Sequence, residues 1–252
     1  MIETEDRLEG SRLQLDERFR FRCGPGLPCF NSCCRDKRLP LFPYDMLRLR
    51  QGLSLPSQEV LARHVELELD PGSGWPALRI KLLADGRCPF VGEQGCQVYA
   101  DRPACCRIFP LARAVAPGRG AEPLEVFLVQ QTPGCLGWQE PRELTVQRYL
   151  DEQALAPYRE ANNRILELFM HPSRPPMLQL DERQIHAVIM ALYNLDVFRQ
   201  AVAAPGFAGR LALTARVEEP SRLAQISDES LLWLGQGWIA DLLFGPVDND
   251  RP

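Results

Sequence analysis

Several things this chain lacks narrow what it can be. No stretch approaches the roughly 18 consecutive apolar residues of a membrane-spanning helix, so no membrane partner is expected. The start, MIETEDRLEGSRLQLDER, is acidic and polar with no apolar segment behind a basic one, so no secretory signal is expected and the cytoplasm is the expected compartment. Basic excess is missing too: 29 Lys and Arg against 33 Asp and Glu give a net charge of -4, and general nucleic-acid affinity is not expected. GxGxxG, Walker, GxSxG and HExxH motifs are absent, as is any internal repeat. Histidine is scarce, and His64, His171 and His186 stand isolated and away from the cysteines. Nothing in these features assigns a catalytic residue or an oligomeric state.

What is present in quantity is cysteine. Four of the nine cysteines fall in FRCGPGLPCFNSCCRD (21–36), spaced C-x5-C-x3-C-C, and the rest are Cys88, Cys96, Cys105, Cys106 and Cys135. Disulfides are rare in reducing compartments, where clustered thiols more often mark metal or catalysis. The odd count and the two vicinal pairs also weigh against a disulfide framework. With 252 residues and 45% hydrophobic content, the chain needs no staples to bury a core. Thiolates select zinc, copper(I) or iron–sulfur centres over calcium or magnesium. Neighbouring cysteines in a chain tend to point apart, so each vicinal pair suits either one ligand beside one packed thiol, or ligands to two centres. The spacings fit neither a zinc-finger pattern nor either ferredoxin arrangement, so spacing alone leaves the metal open.

Along the chain, residues 1–20 read as polar and ordered only near Cys23. The cysteine blocks read as turns carrying no regular elements, because glycine and proline interrupt both. A short helix is expected over Tyr44–Gln51, and a second over Pro56–Leu69 with Ser57 as N-cap. Strands are expected at Ala77–Leu83, Leu111–Ala116 and Leu124–Gln131, the last two joined by PGRGAEP. Leu144–Phe169 reads as helix split at Pro157. One helix is expected over Asp181–Ala203, a break at Pro205–Gly209, and a last helix over Asp228–Phe244 whose Trp233, Trp238 and Phe244 serve the core. Tyr44 and Tyr99 read as aromatics at the core edge. The expected class is α+β, mostly helical: an irregular cysteine-rich core with a small antiparallel sheet (1–140), followed by a helical part packed on it (141–252).

The residues between the cysteines carry a resemblance. Phe21-x-Cys23, Cys29, Cys33-Cys34-Arg35, Pro43-Tyr44-Asp45 and Arg48-Leu49 are followed by Cys88-Pro89-Phe90 and Gly95-Cys96-x-Val98-Tyr99. Arg102-Pro103, Cys106-Arg107 and Phe109-Pro110 complete the set. Over about residues 19–137 the chain resembles the CxxCxxCC family, also called YkgJ-like, of zinc- or iron-chelating domains. Its first block is wider than the family's common C-x2-C-x2-C-C. Carried over position by position, the resemblance implies metal ligation by Cys23, Cys29, Cys33, Cys34, Cys88, Cys96, Cys106 and Cys135, and leaves Cys105 as a non-ligand. Eight thiols exceed one tetrahedral ion, so either two centres form or one cluster takes four.

Arg35, Arg102 and Arg107 sit beside the cysteines, where they suit hydrogen bonds to a thiolate centre or an anionic group. A free Cys105 beside Arg102 and Arg107 would favour its thiolate and a redox or nucleophilic role. The expected function is a cytoplasmic iron–sulfur protein with a [4Fe–4S] centre, zinc being the alternative metal. A looser likeness to the flagellin lysine-N-methylases implies a second possibility: an iron–sulfur-dependent protein methyltransferase acting on a protein substrate with S-adenosylmethionine.

Overall fold

The computed structural model describes residues 10–116, 118, 124–204 and 225–245. Among these the chain is α+β, mostly helical, with several small antiparallel sheets. The strands are β1 (Arg12–Leu13), β2 (Arg18–Arg20), β3 (Pro40–Leu41), β4 (Val65–Leu69), β5 (Pro76–Ile80), β6 (Val91–Gly92), β7 (Gly95–Cys96), β8 (Leu111–Ala116), β9 (Leu124–Val129) and β10 (Glu143–Thr145). The helices are α1 (Pro43–Leu53), α2 (Ser57–His64), α3 (Ala104–Ile108), α4 (Val146–Glu152), α5 (Ala156–Phe169), α6 (Glu182–Tyr193), α7 (Leu195–Ala203) and α8 (Asp228–Phe244). The sheets order as β1-β9-β8, β10-β2, β3-β5-β4 and β6-β7.

The N-terminal segment differs from its reading as loosely ordered. Arg12–Leu13 pairs with Phe127–Leu128 on β9, and Arg18–Arg20 with Glu143–Thr145 on β10. These short strands exist only through partners more than a hundred residues away.

Two helix readings are corrected. The helix expected over 56–69 ends at His64, and VELEL continues as β4 against β5. The alternation decides it: Leu67 lies opposite Leu78, while Glu66 and Glu68 take the Arg79 guanidinium on the other face. Pro56, not Ser57, is the N-cap of α2; the Ser57 N–H donates to Asp196 Oδ2 at 2.5 Å. The helix expected over 181–203 is two, broken at Asn194 (φ -120, ψ 65). The break frees Asp196 to open α7, where it also accepts from Arg50 Nη2 at 2.9 Å. Pro157 falls in the first turn of α5, which tolerates it. The Arg119–Pro123 part of the hairpin loop and the break at Pro205–Gly209 lie outside the described residues.

One apolar cluster runs from Phe19 and Phe21 through Leu47, Leu49, Phe127 and Leu150 to Val188, Leu192, Phe198, Leu231, Leu232 and Ile239. Helix α1 is at its centre, touching α5, α6 and α8. Its Met46, Leu47 and Leu49 are fully covered, each worth roughly 1.5–3 kcal/mol of transfer free energy. Trp233 stacks on Tyr44 and Trp238 on Phe198, which places both indoles in the packing. Tyr44 is buried; Tyr99, read as a core-edge ring, is instead 58% exposed beneath the Arg102 guanidinium.

Candidate metal centre

The first cysteine block is a chain of short turns. Leu27 N–H bonds Gly24 O, Phe30 N–H bonds Leu27 O, Ser32 N–H bonds Cys29 O and Cys34 N–H bonds Asn31 O, with Asn31 in the left-handed region at φ 68. No residue from Arg22 to Asp36 is buried. The second block is not all turns, which corrects the reading of it: Cys96 ends the two-residue strand β7, and Cys105 and Cys106 ride on α3.

Backbone contacts bring the blocks together at two places. Cys88 N–H donates to Cys34 O at 2.9 Å and Asp36 N–H to Gly86 O at 2.9 Å, setting Cys34 beside Cys88. Elsewhere Arg22 N–H donates to Gly137 O at 3.1 Å, and Leu136 N–H reaches Cys29 Sγ at 3.3 Å. The approach of 21–22 to 136–137 requires glycine, since a Cβ on Gly137 would stand 2.6 Å from the Phe21 ring and 2.8 Å from Arg22 O. An aromatic group of Phe19, Phe21, Phe109, Trp138 and Tyr149 backs this corner, with Phe21 and Trp138 centroids 5.2 Å apart.

Electrostatics sort the sulfurs into two groups. Although Cys23 is exposed as a residue, partial desolvation raises its thiol above the usual range, and Cys33, Cys135 and Cys29 raise it further. Cys135 is raised by burial, then by Cys29 and Cys33. Cys34 is raised first by its hydrogen bond with Cys33, then by burial, and also by Cys106 and Cys88. Cys88 is pushed up to about 11 by burial and by Cys106 and Cys96, and Cys96 is raised by burial and Cys106. Cys23, Cys29, Cys33 and Cys135 thus influence one another, as do Cys34, Cys88, Cys96 and Cys106. The two sets adjoin at Cys33-Cys34, whose thiols hydrogen-bond each other. The thiol of Cys34 holds Cys33 down to about 6, with a smaller contribution from Lys37.

Cys105 adjoins Cys106. Its Sγ lies 3.4 Å from Pro40 O and 3.9 Å from Cys106 Sγ. The hydrogen bond with Cys106, then burial, then the charges of Cys106 and Asp45 push its thiol well above the ordinary range. These influences disfavour the thiolate expected there, and Cys105 Sγ rests against the Pro40 carbonyl of β3.

The donor set fits a thiophilic metal. Each group offers four sulfurs, and as thiolates they repel one another, which a cation relieves. Backbone N–H groups two residues on, from Phe90, Val98 and Gly137, favour the thiolates of Cys88, Cys96 and Cys135. Among the described residues no three of His, Cys, Asp and Glu stand at single-ion spacing. His64 packs on Phe90 and His171 on Phe244, away from the sulfurs.

The three arginines occupy different situations. Arg35 donates to Asp85 O across an isolated bridge between Arg35 and Arg87. Arg102 donates to Gln153 Oε1, and its charge favours the thiolates of both Cys23 and Cys96, so it stands between the two groups. Arg107 is buried and donates to three carbonyls, Arg102 O at 3.0 Å, Gln153 O at 2.8 Å and Ala100 O, with its guanidinium 4.7 Å from the Tyr158 ring centroid. Sequence reasoning did not find the role of Asp45, described below, although Pro43-Tyr44-Asp45 was part of the resemblance.

A cleft of about 1700 Å³ borders the sulfurs. One wall holds Cys23, Cys33, Cys34, Cys88, Cys96 and Cys106; the other is built from β8 and α5, with Arg113, Arg159, Asn162, Leu166 and Phe169. No helix among the described residues is long and apolar enough to cross a membrane.

Residues 22–136 match the model of the CxxCxxCC family, described as "Putative zinc- or iron-chelating domain". The match begins one residue before Cys23 and ends one after Cys135, so it takes in every cysteine of the chain. No curated protein and no solved structure matches the chain. Residues 22–136, somewhat under half of the chain, are thus similar to the CxxCxxCC family, whose model is that of a zinc- or iron-chelating domain.

Proposed function

We propose that the chain is a cytoplasmic protein holding two metal centres, one on Cys23, Cys29, Cys33 and Cys135, the other on Cys34, Cys88, Cys96 and Cys106. The observation that carries this reading is that backbone contacts bring Cys34 beside Cys88 and Cys29 beside Leu136, while Cys23 and Cys135 feel the charges of Cys29 and Cys33, and Cys34 and Cys88 that of Cys106. A vicinal pair whose members serve separate centres avoids forcing two adjacent side chains onto one ion.

Iron–sulfur clusters of the [4Fe–4S] type suit the sites better than zinc. A tetrahedral zinc with bonds of about 2.3 Å draws its sulfurs to about 3.8 Å from one another, whereas four cysteines on a cluster bind separate irons and stand wider. Such centres supply one-electron chemistry when bound. The chain's own residues hold the sulfurs in two adjoining fours, place Arg102 between them and shield one corner with Phe21 and Trp138. Metal and sulfide analysis with an optical spectrum, on protein purified without air, tests the reading. Iron with sulfide supports clusters; zinc without colour replaces them.

A second reading is favoured by the cleft. It extends beyond the sulfurs to Arg113, Asn162, Leu166 and Phe169, farther than a purely structural or electron-carrying centre needs. In that reading the chain is a protein-modifying enzyme, such as a protein lysine methyltransferase using S-adenosylmethionine, with a protein substrate in the cleft. Equilibrium binding of S-adenosylmethionine to the metal-loaded protein separates the two, since a carrier has no site for it.

A further inference from the structure

The chain between Cys96 and Cys106 has little regular structure of its own: a single 3-10 turn (Tyr99–Asp101), Arg102-Pro103, and the start of the five-residue α3. What fixes it is α1. Asp45 and Arg48 are three residues apart, hence on one face of that helix, and both reach this stretch. Asp45 is 1% exposed. Its Oδ2 accepts from Phe42 N–H at 2.8 Å and its Oδ1 from Ala104 N–H at 2.8 Å, so one carboxylate caps its own helix and opens α3. One turn further on, Arg48 Nη2 donates to Asp101 Oδ1 at 2.5 Å. Helix and turn press together closely enough that a Cβ on Gly52 would stand 2.7 Å from Asp101 Cβ. Arg107 closes the loop from its other end by donating to Ala100 O and Arg102 O.

We propose that Asp45 and Arg48 are positioning residues for the Cys34–Cys88–Cys96–Cys106 centre. By gripping Asp101 and Ala104 they fix the span of chain between Cys96 and Cys106, and with it the placing of two of that centre's four sulfurs. Neither residue is a ligand. The inference rests on the two-centre reading. Alanine at 45 orphans the buried Ala104 N–H, while asparagine keeps an acceptor for only one of the two donors.

The test compares the full-length wild-type chain with Asp45→Ala, Asp45→Asn, Arg48→Ala and Arg48→Lys. The readouts are metal per chain, alkylation of individual cysteines by iodoacetamide, and amide exchange at Ala104. In Asp45→Ala and Arg48→Ala, metal is expected to fall to half the wild-type amount. Cys96 and Cys106 become open to alkylation while Cys23 and Cys29 stay protected, and Arg48→Lys recovers part of the loss. Exchange at Ala104 should be about tenfold faster in Asp45→Ala, as for loss of one hydrogen bond of ordinary strength. Unchanged metal and alkylation in both alanine variants would overturn the inference while leaving the two-centre reading in place. Metal lost equally from both groups would overturn it as well. A wild-type chain without metal would instead sink the two-centre reading, and Ala104 exchange with Cys96 alkylation would still decide whether α1 positions this stretch. Should Asp45→Ala not fold, Arg48→Ala carries the decision alone.

Discussion

Helices α6, α7 and α8 and the turns of 22–36 differ in what fixes them. In the helices, Val188, Ala191, Leu192, Phe198, Leu231, Leu232 and Ile239 are fully covered, and the burial of apolar surface specifies the arrangement. The turns have no buried residue at all, and their hydrogen bonds are divided between near neighbours and the distant stretches 85–88 and 136–137. Ordering such a stretch costs about 1–2 kcal/mol of backbone entropy per residue, and nothing apolar offsets it. The helices need no ligand to hold their shape; the turns need a cross-link between distant sulfurs.

The sharpest way to break this contrast is to remove the metal. Chelation is expected to make 22–36 and 88–106 protease-sensitive while α6–α8 keep their helical signal and protection. Structural thiolate sites for zinc are worth roughly 10–16 kcal/mol in small domains, so this effect should be the largest. Limited proteolysis with mass mapping checks it; uniform cleavage across both regions would remove the distinction.

Single ligand losses sharpen it further. Cys33→Ala should cost the centre of Cys23, Cys29 and Cys135, and Cys34→Ala the centre of Cys88, Cys96 and Cys106. Each variant should keep about half the metal, as two sites of four thiolates each imply. Equal and complete loss in both variants would mean one shared centre.

A core substitution should do the reverse. Phe198→Ala removes a fully covered ring stacked on Trp238, at a cost of about 3–5 kcal/mol, and below its lowered melting temperature it should leave metal per chain unchanged. Calorimetry paired with metal analysis reads both.

A smaller effect concerns pH. Cys88 is pushed up to about 11 and Cys34 is also raised, whereas Cys33 is held down to about 6. At neutral pH the metal-free Cys34–Cys88 side therefore carries its protons, and binding releases them. Proton release means that affinity strengthens as pH rises and weakens as it falls. Calorimetric titration of zinc into metal-free protein, in buffers of different ionisation enthalpy, counts the protons; no release would contradict the buried, protonated thiols.

The smallest effect is expected at Cys105. The family pattern asks for no cysteine there and its Sγ bonds Pro40 O, so Cys105→Ala should leave metal content near normal and shift stability by about 1 kcal/mol or less. Metal loss would make it a ligand.

Much of the helical half and the hairpin strands could be read from local pattern. Leu111–Ala116, Leu124–Val129 and Asp228–Phe244 form where their composition and periodicity suggest. The misses trace to distant partners. Val60, Leu61, Val65 and Leu69 keep helical spacing by coincidence, and only β5 reveals Val65–Leu69 as a strand. No proline or glycine marks the break at Asn194; the demand comes from Arg50 and Ser57, which Asp196 meets. The candidate ligands were legible as a set because clustered thiols are chemically conspicuous. The proposed division into two fours was not, since it rests on Cys88 meeting Cys34 and on Leu136 meeting Cys29. Asp45 was visible as a motif residue, but its bond to Ala104 spans 59 positions and has no local signature.

The central claim is that eight cysteines form two metal centres. The most direct measurement is iron, sulfide and zinc per chain on protein purified without air, together with its absorption spectrum. The account predicts a brown protein absorbing broadly near about 400 nm, with about eight irons and eight sulfides per chain. Metal sufficient for one centre only, or none in a folded chain, would contradict it.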